Sequence, residues 1–263
     1  MGAGWLRWPA ERGIWVMVGI PWLTGTLGVG TWAQMGPSML LAACLFCMTL
    51  AREPLSWALW RRVHRFPPLP GWPTGVFWGS AASALCVLWY VWAPAPGHRV
   101  GLILLASGGV WEVVMRLWRA RAWWPGMVGS CLIAAGVFWA AGPDLPLTAT
   151  RWGIAASLAY AAGCSIAAMG LQVVRVSRTA DSLGPTVLLW AWSGLGATLL
   201  LLVGSRSHTL VASIAVAGLG LLHAVLAHRQ PRTRDFRRLG WREAVWLAVI
   251  GATLLLLAGA GLG

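Results

Sequence analysis

The stretch TLVASIAVAGLGLLHAVLA, residues 209–227, decides the fold class because it holds no charged residue and its one strongly polar side chain is His223. A helix of about twenty mainly apolar residues spans the hydrocarbon core of a bilayer. Of the 263 residues in the chain, 58% are hydrophobic and only 10% are charged, which is too little charge for a soluble domain of this size. Similar apolar runs recur along the chain, and the sequence therefore predicts an all-α, polytopic bundle of transmembrane helices.

Nine membrane spans are predicted, and together they form a single membrane domain over residues 1–263. Proline and glycine stand at several proposed ends, as in Gly142-Pro143 and Gly184-Pro185, where helices commonly stop or restart. The sequence shows no separate soluble domain. The approximate ranges of the predicted spans are 14–32, 36–51, 73–93, 100–116, 125–142, 152–174, 184–203, 209–227 and 243–260.

The orientation of these spans follows from the arginines, which supply all twenty basic residues of the chain. Seventeen of them fall in the N-terminal segment and in the loops on that side, whereas Arg99, Arg151 and Arg206 fall on the other side. Basic residues are enriched in cytoplasmic loops. We therefore predict a cytoplasmic N-terminus and a C-terminus outside. This placement also accounts for the net charge of +13, so we expect no nucleic-acid partner.

Neither the cysteines nor the histidines form a recognisable cofactor site. All five cysteines lie within apolar runs, including Cys44 and Cys47 of the sequence CLFC at 44–47. Redox work needs an accessible thiolate near a helix start or a positive group, so we expect these thiols to be packing residues. The five histidines do not follow a haem or metal pattern, and no phosphate-binding loop or zinc-protease motif is present. We expect no metal and no cofactor.

The best candidate for a functional site is a layer of polar residues near the predicted cytoplasmic ends of three spans, formed by Glu112, Gln172 and His223. The layer and its charged rim predict a basic pocket that faces the cytoplasm and suits the phosphate of an anionic lipid. The alternative is that these are snorkelling residues near the interface, with Glu112 and Arg116 an ordinary i,i+4 pair. The rim consists of Arg12, Arg52, Glu53, Arg116, Arg175, Arg178, Asp181 and Glu243.

Three segments occur in an order that resembles the YwiC-like family of bacterial integral membrane proteins. They are ERGIWVMVGIPWLTG at 11–25, AREPL at 51–55 and LGWREAVWLAVIGATLLL at 239–256. The family's opening motif, His-Gly-x-Trp, is matched at Gly13 and Trp15, while Arg12 stands at the position of the histidine. The resemblance implies a multi-pass protein of the bacterial cytoplasmic (inner) membrane and does not imply an activity.

The predicted topology is also similar to that of the UbiA-type intramembrane prenyltransferases, which have nine spans and polar cytoplasmic loops after spans two and six. Those enzymes bind a prenyl diphosphate through magnesium held by aspartate-rich motifs in these loops. The corresponding loops here carry one carboxylate each, Glu53 in 52–72 and Asp181 in 175–183. A shared fold would therefore not imply shared magnesium chemistry.

Four function classes remain open on the sequence. The favoured one is a protein without enzymatic activity whose pocket holds an anionic amphiphile, such as a lipid or an isoprenoid phosphate. The others are a prenyltransferase with altered metal ligands, a small-molecule permease, and an assembly factor for a membrane complex. Membrane lipids are the expected partners in every case.

Overall fold

The structure is a computed structural model, and its regular secondary structure is entirely α-helical in the residues that it describes, which confirms the all-α fold class. The described residues are 13–29, 35–67, 72–92, 96–117, 124–141, 149–177, 183–207, 209–231 and 236–259. The helices within them are α1 (Gly13–Val29), α2 (Met35–Val63), α3 (Trp72–Trp92), α4 (Pro96–Leu117), α5 (Trp124–Ala141), α6 (Ala149–Ser177), α7 (Leu183–Ser207), α8 (Leu210–Arg229) and α9 (Phe236–Gly259).

Five of the described helices are long and apolar enough to cross a membrane. These segments are Trp72–Val91, Thr150–Val176, Gly184–Arg206, Leu210–Arg229 and Arg238–Leu257. Three further helices contain shorter apolar segments, namely Gly36–Ala51, Arg99–Trp111 and Met127–Ala141. The structure therefore supports the prediction of a helical membrane protein and gives five candidate membrane-spanning helices, while the count of nine spans stays a prediction.

Two of the predicted cytoplasmic loops are partly helical. Helix α2 continues beyond Ala51 to Val63, and α9 begins at Phe236, before the predicted start of the last span at residue 243. A helix does not have to end where its apolar segment ends, because residues such as arginine, glutamate, leucine and alanine favour the helix in polar surroundings as well. Polarity therefore marks the expected membrane boundary and not the helix end.

Helix α6 lies at the centre of the bundle, where it packs against α5, α7, α8 and α9. Helix α1 packs on α5 and α9, while α2 pairs with α3 and α4 pairs with α5. Alanine, glycine and cysteine fill much of α6 between Ala155 and Ala168, and small residues allow neighbouring helix backbones to approach closely. The burial of this segment agrees with such close packing.

Tyr160 of α6 interlocks this helix with α7 and α8. Its hydroxyl donates to the carbonyl oxygen of Ser193 over 3.0 Å. A Cβ atom at Gly196 would lie 2.8 Å from the tyrosine ring, and one at Gly220 would overlap the hydroxyl. Both positions therefore have to be glycine for Tyr160 to fit, and the fit fixes the relative heights of the three helices.

Candidate functional site

The ends of α6 and α8 and the start of α9 meet at one end of the bundle, which we call the arginine-rich end. Gln172 of α6 donates from Nε2 to the carbonyl oxygen of Ala227 over 3.5 Å. Arg175 donates to the carbonyl oxygens of His228 and Gln230 over 3.0 and 3.2 Å. The last carbonyls of a helix have no partner within it, so these two side chains satisfy the final turn of α8. They join α6 to α8 at this end.

A buried histidine and a buried glutamate face each other between α8 and α9. The Nε2 atom of His223 lies 2.8 Å from Oε2 of Glu243, and the two residues are 4% and 2% exposed. Opposite an ionised carboxylate, which only accepts hydrogen bonds, Nε2 of His223 is the donor in this contact. The indole of Trp246 stacks on the imidazole with 4.5 Å between the ring centroids and 24° between the planes.

The second carboxylate oxygen of Glu243 is bonded to the neighbouring arginine. Arg242 donates from Nε to Oε1 over 3.1 Å and also donates through a terminal nitrogen. The Arg242 side chain is 32% exposed, so it links the buried carboxylate to the surface. Burying an ionised carboxylate is costly unless it is paired and hydrogen-bonded, and both oxygens of Glu243 meet that condition. We call Arg242, Glu243, His223 and Trp246 the buried carboxylate cluster.

Several buried polar atoms around this cluster have no hydrogen-bond partner within the described part of the chain. They include Nδ1 of His223 and Nε1 of Trp246, and also Oε1 of Gln172 and the hydroxyl of Ser193. Buried polar atoms in proteins are nearly always paired with protein or with water. Of these atoms, only Nδ1 of His223 can take up a proton, whereas Oε1 of Gln172 can accept and Nε1 of Trp246 can donate a hydrogen bond to a water molecule or a polar ligand.

The surface of the arginine-rich end is strongly basic. Arg229 and Arg238 are exposed on either side of the connection between α8 and α9, and Arg175 and Arg242 are half-buried beside them. The sequence of that connection, RQPRTRDFRR at 229–238, contains five arginines and one aspartate. Among the side chains that the structure describes here, the only carboxylate is Glu243, whose charge is already compensated by Arg242. The arginines thus leave an excess of positive charge.

The structure brings three of the predicted site residues, Gln172, Arg175 and His223, to this one end of the bundle. Helix α4, which carries Glu112, packs on α5 and α2, and the side chain of Glu112 lies outside the described part. Its predicted approach to Gln172 and His223 therefore stays a prediction. The same holds for the side chains of Arg52, Glu53 and Arg116, and for Arg12, Arg178 and Asp181, which lie outside the described residues altogether.

The sequence placed Glu243 on the charged rim, and that placement is wrong, because Glu243 is buried against His223. The partners Arg242 and Trp246 were not predicted. One signal was available: His223 and Glu243 each lie about two helical turns from the short connection that joins α8 to α9. Consecutive antiparallel helices place such positions at the same height, so a polar residue on one is a candidate partner for a polar residue on the other.

The burial expected of the cysteines is confirmed for three of the five. Cys44, Cys47 and Cys164 are buried, while Cys86 and Cys131 are half-buried. The thiol of Cys44 donates to the carbonyl oxygen of Ala82 over 3.2 Å, which ties α2 to α3. Over the residues that the structure describes, no group of three or more histidine, cysteine or acidic side chains is arranged to hold a metal ion.

No family model, no curated protein and no solved structure matches the chain significantly. The resemblances to the YwiC-like family and to the UbiA-type topology therefore stay predictions from the sequence. The role of the arginine-rich end has to be argued from its own charges and contacts.

Proposed function

We propose that this chain is a multi-pass protein of the bacterial cytoplasmic membrane whose arginine-rich end binds the phosphate group of an anionic amphiphile without transforming it. The ligand class is a lipid or an isoprenoid phosphate, with its apolar tail along the helices and its phosphate at the basic surface. The proposal includes nine spans, a cytoplasmic N-terminus and membership of the YwiC-like family. The one-sided placement of the arginines and the order of the three matching segments support these points.

The observation that carries the proposal is the excess of arginine at the arginine-rich end, where the connection 229–238 holds five arginines and one aspartate. Arg229 and Arg238 are exposed there, and the one described carboxylate is already bonded to Arg242 and His223. Arginine offers a planar set of donors that matches a phosphate group, and it stays charged at any physiological pH. A phosphate at this position would meet several arginine side chains that can donate to it.

Retention of the ligand without reaction is favoured by the composition of the site. The prenyltransferase alternative requires magnesium held by aspartate-rich motifs after spans two and six, and each of those predicted loops offers one carboxylate, Glu53 and Asp181. Each attractive arginine near an anionic surface contributes about 1 kcal/mol. Two exposed arginines therefore contribute about 2 kcal/mol, which corresponds to roughly thirtyfold in affinity.

The test uses farnesyl phosphate as the probe and farnesol, which has the same tail and no phosphate, as the matched ligand. Binding is measured by native mass spectrometry of purified protein in mild detergent. We expect farnesyl phosphate to bind, farnesol to bind far more weakly, and the double variant Arg229→Gln with Arg238→Gln to lose affinity by roughly thirtyfold. Arg206→Gln is the control, because Arg206 is exposed in the last turn of α7, at the end of the bundle opposite to the arginine-rich end.

Equal binding of farnesol and farnesyl phosphate would contradict phosphate recognition. Equal losses in the double variant and in Arg206→Gln would show that the position of the arginines does not matter. Either result would remove the proposed role of the arginine-rich end.

A further inference from the structure

The buried carboxylate cluster contains a titratable nitrogen that phosphate binding does not use. Nε2 of His223 is committed to Glu243, whereas Nδ1 is buried and has no partner within the described residues. A neutral imidazole carries one ring proton and an imidazolium carries two. Uptake of a second proton at Nδ1 would therefore leave the contact between Nε2 and Glu243 intact.

Two groups beside the imidazole can compensate the cost of a positive charge on this buried ring. Oε2 of Glu243 lies 2.8 Å from the ring, and the face of Trp246 stacks against it. A nearby carboxylate and an aromatic face both stabilise an imidazolium. Arg242 bonds to the other carboxylate oxygen and is one-third exposed, so the cluster is in contact with solvent at the arginine-rich end.

We propose that His223 and Glu243 form a proton-binding site buried between α8 and α9, where one proton from solvent is taken up by Nδ1 of His223. The charge of that proton is held between the carboxylate of Glu243 and the indole of Trp246. The change involves only the formation of an N–H bond, and the cluster gains one positive charge. The site does not depend on phosphate binding, so either proposal can fail while the other stands.

Other titratable and charged groups face this site from the packed helices, and they are few. Three of them are on α6. The thiol of Cys164 lies close enough to Glu243 to interact with its charge, and Tyr160 lies about one turn from Cys164, away from the arginine-rich end. Arg175 contacts the end of α8. Over their described residues, α1 and the part of α7 before Arg206 carry no ionisable side chain. The remaining groups are Arg242 and Arg238 on α9 and His228 and Arg229 on α8.

His228 supplies a matched control for His223. It lies on the same helix about one turn nearer the arginine-rich end, and it is exposed, with its ring 5.8 Å from the ring of Trp190. Its ring is open to solvent, so it reports on the helix and not on the buried carboxylate cluster. A buried histidine titrates in the folded protein only if the site accepts the charge.

The experiment follows the imidazole nitrogens by NMR in protein that is labelled with ¹⁵N-histidine and reconstituted in lipid nanodiscs. No farnesyl phosphate is added, and the pH is varied from about 9 to about 5. His223→Gln identifies the signal. If that variant does not fold, single glutamine replacements of His64, His98, His208 and His228 identify it by elimination. We expect the His223 signal to change from the neutral to the doubly protonated form while the protein stays folded.

Substitution of the carboxylate separates a proton site from a structural contact. Glu243→Gln keeps an acceptor for Nε2 and removes the negative charge, so we expect the proton affinity of His223 to fall at least about tenfold. His228→Gln should leave the titration of His223 unchanged. A His223 ring that stays in one neutral form over the whole range, or that titrates identically in Glu243→Gln, would overturn the proposal.

Discussion

Replacement of Glu243 by alanine tests whether the buried carboxylate cluster stabilises the contact between α8 and α9. The substitution leaves the Nε2–H group of His223 buried without its acceptor, which costs about 1–3 kcal/mol. The cost to Arg242 is small, because this side chain is 32% exposed and water can solvate it. Together these contributions predict that Glu243→Ala destabilises the protein by about 1–3 kcal/mol, most of it from the orphaned donor of His223.

The pairwise part of this effect is isolated by a double-mutant cycle with His223→Ala. Unfolding is followed by reversible titration with a denaturing detergent, for the wild type, each single variant and the double variant. Because the two side chains are in direct contact, we expect a coupling energy of about 1–3 kcal/mol. His228→Ala combined with Glu243→Ala is the control cycle, and its coupling should be below about 0.5 kcal/mol.

A cycle in which His223→Ala and Glu243→Ala destabilise additively would refute the reasoning. It would mean that the two residues do not interact across α8 and α9. The reasoning would also be refuted if Glu243→Ala destabilised the protein no more than His228→Ala does. His228 is an exposed histidine on α8 and makes no comparable buried contact.

Three further predictions follow from the packing and from the charges. Gly220→Ala should destabilise the protein by roughly 1–3 kcal/mol, because the new Cβ would overlap the Tyr160 hydroxyl. Gly218→Ala on the same helix is the control and should not destabilise it, because no atom lies within 4 Å of the added Cβ. Thermal unfolding of both variants measures the difference. Arg175→Gln should cost about 1 kcal/mol by releasing the last carbonyls of α8, and equal thermal stability of variant and wild type would contradict it. The orientation is tested in cells with a membrane-impermeant maleimide and a variant that lacks the native cysteines. The reagent should label Arg206→Cys directly and Arg229→Cys only after permeabilisation of the membrane. The reverse pattern would mean that the proposed orientation is inverted.

The helical fold could be predicted from the sequence because membrane solubility imposes long apolar runs. The stretch at 209–227 coincides closely with α8, and the small residues near Gly163 coincide with the buried part of α6. Helix ends were less predictable at α2 and α9, since helix propensity continues beyond the apolar segment. The continuation of α2 to Val63 is an example.

The candidate site was predictable in position and only partly in detail. Polarity near a span end identified Gln172 and His223, and both lie at the arginine-rich end. The burial of Glu243 depends on which face of α9 meets α8, and rotation of a helix is set by tertiary packing and not by its hydrophobicity. The stacking of Trp246 on His223 follows from the same rotation. A tryptophan near a span end is otherwise indistinguishable from an interfacial residue.

The most direct test of the central claim is the mass of the protein as it is extracted from its own membrane. Native mass spectrometry in mild detergent, without added ligand, would show what the bundle retains. We predict a population that carries a phosphate-bearing lipid or isoprenoid, and we predict its loss in the double variant Arg229→Gln with Arg238→Gln but not in Arg206→Gln. A consistently bare protein, or a bound mass that is unchanged in the double variant, would contradict the proposal that the arginine-rich end holds an anionic amphiphile.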